Sequence, residues 1–318
     1  MTPYPIFSCS DFFLHFSNVQ NFPESYFKSR FEISPSAGQF LAQAGFLHLR
    51  GFLSPTQVED LKKELQQVEK KLSQNQIKFS NQLPIYYQKE TEKIERLPFA
   101  NLQSEPLQTF FEAPIFDSFV QLFEKKFTNK AKEKQDLKAI LGLQARDGLV
   151  FSQYQNLEKN AHKKTFRQKN FAQMGWHIDN LRDLFLFKSP QPMLNLGLHL
   201  DDTPKEKGGL RILPASHQKN TFEHLFFKWH FFDKKPEIEE IAIETQAGDL
   251  TLHLGNLWHR VAPSEGAAHL RRVLYVPILF APSYFLPSKT KFFTRANQKQ
   301  QKQKYLYRLY HHLFEAVK

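Results

Sequence analysis

The sequence is short of cysteine, of long apolar runs and of repetition, and each shortage excludes something. Cys9 is the only cysteine in 318 residues, so no disulfide can close within the chain and no multi-cysteine zinc cluster can form. No apolar run approaches the roughly 20 residues that a membrane-spanning helix needs. The N-terminus has no basic segment leading into an apolar one, so it does not read as a secretory signal. A reducing, cytoplasmic setting is the expectation. Repeats are absent, and the Gln/Lys run at 298–304 is the only low-complexity tract.

What is present is an ordinary globular composition with a basic excess. Hydrophobic residues make up 41% and charged residues 24%, enough for an ample core in one large domain or two small ones. The net charge is +11, and most of it has one address. Residues 289–318 hold Lys289, Lys291, Arg295, Lys299, Lys302, Lys304, Arg308 and Lys318 against Glu315 alone. Such a run reads first as the solvated face of a C-terminal helix, over 286–318, with a nucleic-acid contact as the rival. The 33 phenylalanines are read as core filling.

Along the chain, residues 1–36 form an irregular lead-in. A short helix over Phe40–Ala44 stops at Gly45 and a strand follows. Ser54-Pro55-Thr56-Gln57 combines an N-cap serine, a proline with pre-set φ and a glutamine that completes a capping box. Val58, Leu61, Leu65, Val68 and Leu72 then mark one face of a helix. Ile85–Tyr87 reads as a strand, 106–127 as helical, and 125–138 as a lysine-rich surface run. Beyond Ala139 short strands dominate: 148–155, 192–200, 210–213, 241–243, 250–254 and 273–279. Many strands without alternating helices argue for a sandwich or barrel. The expected fold is mainly β, with a helical N-terminal part packed on a jelly-roll over 37–285. The aromatic stretch Phe222, Phe226, Phe227, Trp229, Phe231, Phe232 reads as core beneath a long loop, or else as the wall of an apolar pocket.

The chemistry concentrates at Gly175-Trp176-His177-Ile178-Asp179. In an extended segment, side chains two residues apart share a face, so His177 and Asp179 can converge. An imidazole and a carboxylate are two thirds of the triad that holds non-heme Fe(II) with open positions. A jelly-roll would draw the third ligand from a late strand. The segment 248–259 offers two candidates there, His253 and His259.

Three stretches resemble the phytanoyl-CoA dioxygenase family of Fe(II)- and 2-oxoglutarate-dependent dioxygenases. They are Gly45 to Ser54, Leu200 to His217 with its Pro214-Ala215-Ser216-His217, and Gly248 to His259. Together they span roughly 38–280, in the family's order. The resemblance implies a double-stranded β-helix with His177, Asp179 and His259 as iron ligands. It implies Arg271 as the cation for the distal carboxylate of 2-oxoglutarate, with Arg272 as the runner-up, and Gln153 and Asn195 as polar contacts to the co-substrate. The implied cofactors are Fe(II), 2-oxoglutarate and O2. Two departures stand out: Arg260-Val261-Ala262 follows the distal histidine where the family has Gly-Ser, and Ala215 replaces the glycine of Pro-Gly-Ser-His. Because halogenating relatives replace the carboxylate, Asp179 favours hydroxylation.

The expected substrate is a small molecule. The basic loop 159–169 would suit an anionic one, such as an acyl thioester or a phosphorylated metabolite. Two other classes stay open: a metal-binding cupin without turnover, and a nucleic-acid-associated dioxygenase using the basic C-terminal segment.

Overall fold

Among the described residues the strands, in chain order, are β1 (Phe7–Ser8), β2 (Phe46–Arg50), β3 (Tyr86–Tyr87), β4 (Ile94–Leu97), β5 (Val150–Gln155) and β6 (Met174–His177). There follow β7 (Met193–His199), β8 (Gly209–Ile212), β9 (Ile241–Ala242), β10 (Leu250–Leu254), β11 (His259–Ala262) and β12 (Leu270–Leu279). The α-helices are α1 (Pro35–Ala44), α2 (Pro55–Ser73), α3 (Glu105–Phe111) and α4 (Thr221–Phe227). The structure, a computed structural model, describes residues 4–8, 35–74, 86–87, 93–97, 100–113, 115–116, 119, 150–155, 173–180, 193–264 and 269–279. The basic segment 286–318, the basic loop 159–169, the lysine-rich run 125–138 and most of the lead-in lie outside them.

Leucine at every second position builds the major sheet, whose order is β1-β2-β10-β7-β12-β5-β4-β3. Leu194, Leu196 and Leu198 of β7, Leu250, Leu252 and Leu254 of β10, and Leu274, Val276 and Ile278 of β12 belong to one buried cluster. That cluster also contains Val58, Leu61, Leu65, Val68 and Leu72 of α2, so these residues mark the helix-side face of the sheet. Each fully buried aliphatic side chain of this kind contributes about 1.5–3 kcal/mol relative to exposure. The intervening residues point the other way, toward the minor sheet β6-β11-β8-β9. The two sheets are the double-stranded β-helix framework expected from the sequence. Apart from parallel β1–β2, the strand pairs are antiparallel.

The capping box of α2 forms as read. Ser54 Oγ accepts from the Gln57 amide at 3.2 Å, and the Ser54 amide donates to Gln57 Oε1 at 2.7 Å. The Gly248-Asp249 pair fastens the N-terminal part to the sheet. Gly248 has φ 96°, and a methyl there would lie 2.5 Å from Leu53 O, so only glycine fits. Asp249, fully buried, accepts from His48 Nε2 (2.8 Å), the Gly51 amide (3.0 Å) and the Gln246 amide (2.8 Å), and pairs with Arg50 (3.0 Å).

Three readings change. The helix expected over 106–127 is interrupted: α3 spans Glu105–Phe111, and past Pro114, which cannot donate to a continuing helix, Ile115, Phe116 and Phe119 are helical again. Strands β4 and β11 were not read from the sequence. The aromatic stretch 222–232 is not core: Phe222, Phe226, Trp229 and Phe232 are all exposed, on α4 and the turn after it.

Candidate metal centre

Strand β6 is an edge of the minor sheet, and a segment of the aromatic stretch covers that edge. The Trp176 amide donates to Asp233 O at 2.7 Å, and the Phe231 amide donates to Trp176 O at 2.8 Å. The approach is so close that a methyl on Gly175 would meet Phe231 O at 2.3 Å. Phe231 adopts φ 61°, a left-handed conformation uncommon for a bulky residue, and its ring stacks on His177 with centroids 4.6 Å apart. Alternation then divides the strand. Trp176 turns outward to the Arg260 guanidinium, 5.5 Å from its ring, while His177 turns in between the sheets.

Cross-strand register brings the third residue in. His259 of β11 lies directly opposite His177 of β6, and the two imidazole centroids are 4.1 Å apart. Just past β6, the amides of Asp179 and Asn180 both donate to Gly255 O, at 2.7 and 3.1 Å. This pins the carboxylate against the turn between β10 and β11. The ligand atoms of His177, Asp179 and His259 all lie within 4.8 Å of one another, with Asp179 Oδ1 4.0 Å from His177 Nε2 and 3.8 Å from His259 Nε2.

The donor atoms are prepared for a cation. His177 Nδ1 donates to Gly175 O at 2.8 Å and His259 Nδ1 to Leu257 O at 2.9 Å. In each ring the backbone carbonyl fixes the proton on Nδ1, so Nε2 presents its lone pair to the centre. Burial pushes both imidazoles below the ordinary histidine range, His259 furthest, with His177 adding to the effect. Burial alone would raise the Asp179 carboxyl. The opposing influence of His259, then of His253 and His177, exceeds it and holds the group well below the usual carboxylate range. Two neutral imidazoles and one carboxylate are the set that binds a divalent transition metal and leaves positions open. The residues fit an iron ion.

The other expected site residues separate by face. Asn195 of β7 faces the centre, and its Nδ2 donates to Asp179 Oδ2 at 3.1 Å. Gln153 does not face it. It lies opposite Arg272 on the helix-side face of the sheet and donates to Glu69 Oε1 of α2, which corrects the expectation that it contacts the co-substrate. The reason is register: Phe151 of β5 is core beneath α2, and Gln153 shares its face. Arg272 is committed to Asp201, donating from Nε at 2.8 Å and Nη2 at 2.6 Å. Its neighbour Arg271 therefore points between the sheets, where a methyl on Gly209 of the minor sheet would lie 3.5 Å from its Nη1.

Two residues near the centre deserve naming. His253 places Nε2 3.3 Å from Asp179 Oδ2. Arg96 of β4, which the sequence reading missed, aligns with Ser152 and, beyond it, with Val273 on the inner face; its charge adds a little to the burial that lowers His177 and offsets part of the burial that raises Tyr275. No short motif marks Arg96, and only the strand register reveals it. The departures from the resembled motif are also accounted for. Arg260 points away from the centre, donating to Glu240 through Nε (2.9 Å) and Nη2 (2.6 Å). Ala215 occupies a left-handed turn at φ 60°, where glycine would sit without strain.

A family model described as Phytanoyl-CoA dioxygenase (PhyH) matches residues 41–273. No curated protein sequence matches the chain. Among solved structures, the non-heme alpha-ketoglutarate-dependent carbocyclase SnoK from nogalamycin biosynthesis shares the fold, with a TM-score of 0.50, 16% identity, 78% of this chain covered and 84% of that one. EvdO2 from Micromonospora carbonacea var. aurantiaca, complexed with 2-oxoglutarate, gives 0.47 at 14% identity, covering 79% of this chain and 92% of that one. HygX from Streptomyces hygroscopicus, with nickel and 2-oxoglutarate bound, gives 0.45 at 13% identity, covering 77% and 86%.

Proposed function

The chain belongs to the phytanoyl-CoA dioxygenase family, and from that premise we propose that it is an Fe(II)- and 2-oxoglutarate-dependent dioxygenase that hydroxylates an unactivated C–H bond of a small molecule. The observation that carries this reading is the convergence of His177 Nε2, Asp179 Oδ1 and His259 Nε2, with both Nδ1 protons already tied to backbone carbonyls. When bound, iron and the keto acid supply the oxidative decarboxylation of 2-oxoglutarate to succinate and CO2 that activates O2.

The protein's own residues supply position and exclusion. His177 and His259 hold the cation from facing strands, and Asp179 balances part of its charge. Arg271 pairs with the distal carboxylate of 2-oxoglutarate; a guanidinium stays charged and meets a carboxylate in a forked geometry. Arg96 adds a second positive charge on the same inner face and favours an anionic co-substrate or substrate. Phe231 shields the centre from water on the side of His177, against whose ring it stacks.

The test is anaerobic addition of Fe(II) and 2-oxoglutarate to the metal-free protein. The expected result is a weak visible charge-transfer band that His177→Ala abolishes. Absence of the band in the wild type, or its persistence in the variant, refutes the assignment. A library of small acids and thioesters, screened for succinate release, then identifies the substrate class.

A further inference from the structure

We propose that His253 is a positioning residue which, with Asn195, restricts Asp179 to coordinating through a single oxygen. The proposal rests on the metal-centre reading above. The two carboxylate oxygens have different surroundings. Oδ1 faces His177 Nε2 and His259 Nε2, at 4.0 and 3.8 Å, whereas Oδ2 receives Asn195 Nδ2 at 3.1 Å and His253 Nε2 at 3.3 Å. Register explains the pairing: Asn195 of β7 and His253 of β10 are directly opposite each other, so their side chains rise together from the inner face of the major sheet.

Nothing else accounts for an imidazole at 253. The residue is 4% exposed, and its Nδ1 has no hydrogen-bond partner among the described residues. A buried polar ring with one nitrogen unused is unfavourable compared with a leucine of similar volume unless its other nitrogen does something. That other nitrogen, Nε2, touches only Asp179 among the contacts described, and to donate there it must carry the proton. For Asp179 to chelate through both oxygens, Oδ2 would have to leave two donors at once. With Oδ2 held, the carboxylate occupies one coordination position rather than two, and one more position stays open for co-substrate or O2. The neighbouring imidazole of His259, 4.4 Å from that of His253, leaves the His253 ring little room to turn away.

The experiment uses Co(II) alone as the probe on the metal-free full chain, comparing wild type with His253→Leu, His253→Gln and Asn195→Leu, each checked for wild-type circular dichroism and melting. The expectation is that His253→Leu binds Co(II) about 10–100-fold more weakly. Its visible Co(II) absorption should also lose intensity, as happens when a second carboxylate oxygen raises the coordination number. His253→Gln, which keeps an N–H donor, restores both, and Asn195→Leu shifts both in the same direction as His253→Leu. Wild-type affinity and spectrum in His253→Leu overturn the proposal, as does failure of the folded glutamine variant to restore them. If His253→Leu does not fold, an unchanged spectrum in Asn195→Leu overturns it. A wild type that binds no Co(II) overturns it together with the centre. A wild type that binds Co(II) normally but gives no band with Fe(II) and 2-oxoglutarate refutes the dioxygenase reading alone.

Discussion

Replacing Gly175 by alanine tests whether the covered edge of β6 supports the metal centre. The added methyl would lie 2.3 Å from Phe231 O, 2.6 Å from Phe231 C and 2.7 Å from Asp233 O, all of them backbone atoms that cannot rotate away. Ordinary contact with such atoms begins near 3.4 Å, so strand and covering segment must part by about 1 Å. The two hydrogen bonds that join them, now 2.7 and 2.8 Å, would then exceed hydrogen-bonding distance. Each contributes about 0.5–1.5 kcal/mol net, and overpacking itself costs about 1–3 kcal/mol. The expected loss is therefore about 2–6 kcal/mol, read as a lower urea midpoint with unchanged m-value. Displacing Phe231 also removes the stacking that holds the His177 ring, so Co(II) affinity should fall as well. A Gly175→Ala protein with wild-type midpoint and affinity would refute the claim that this contact orders the site.

Other substitutions separate the faces of the sheets. Arg271→Gln should weaken 2-oxoglutarate binding on the order of 10–100-fold with little effect on melting, whereas Arg272→Gln should lower stability through the lost Asp201 pair and leave 2-oxoglutarate affinity intact, both by titration of the Fe(II) protein. Asp249→Ala should cost about 3–5 kcal/mol in urea unfolding, because it strands a buried imidazole and several donors. Burial pushes His199 down to about 3, so the unfolded chain binds its proton first as the pH drops. Stability should thus be intact above about pH 6.5 and decline toward pH 3, this residue contributing about 1.4 kcal/mol per pH unit in between. His199→Gln should flatten that slope in urea titrations at fixed pH, and an unchanged slope would show that His199 is not responsible. Phe226→Ser and Trp229→Ser, both at exposed positions, should change stability by no more than about 0.5 kcal/mol in the same assay.

What could be read from the sequence and what could not divides along strand register. The helix α2 was legible because its signals are local: a capping box at Ser54 and Gln57 and a five-residue apolar stripe. His177 and Asp179 were legible because two residues of separation fixes their common side without any knowledge of neighbours. His259 came from resemblance, and the residues alone left it beside His253 as a candidate, since both lie in the one late segment 248–259. Both do reach Asp179, one at each oxygen, a difference that depends on strand register and is not written in the local sequence. Arg271 and Arg272 posed the same problem in its simplest form, because adjacent strand residues face opposite ways. Only the Asp201 partner of Arg272 shows which is which.

Gln153 and Asn195 both came from the resemblance, as polar residues of an early strand and of the strand after the His-x-Asp, and where each one points turned on parity. Asn195 alternates with leucines that face α2 and so points inward, while Gln153 shares the side of Phe151, which faces α2 itself. A one-residue shift in β5 would have turned Gln153 inward as well. The aromatic stretch failed for a different reason. Hydrophobic content alone suggested burial, yet its capped helix at Asn220 and Glu223 stands out from the sheets. Only Phe231, forced to φ 61° by the pairing with β6, turns its ring back to the metal centre. Its place beside His177 depends on the absence of a side chain at Gly175, the residue that begins the motif. The small residue before Trp176 is therefore as much a part of the centre as the ligands that follow it.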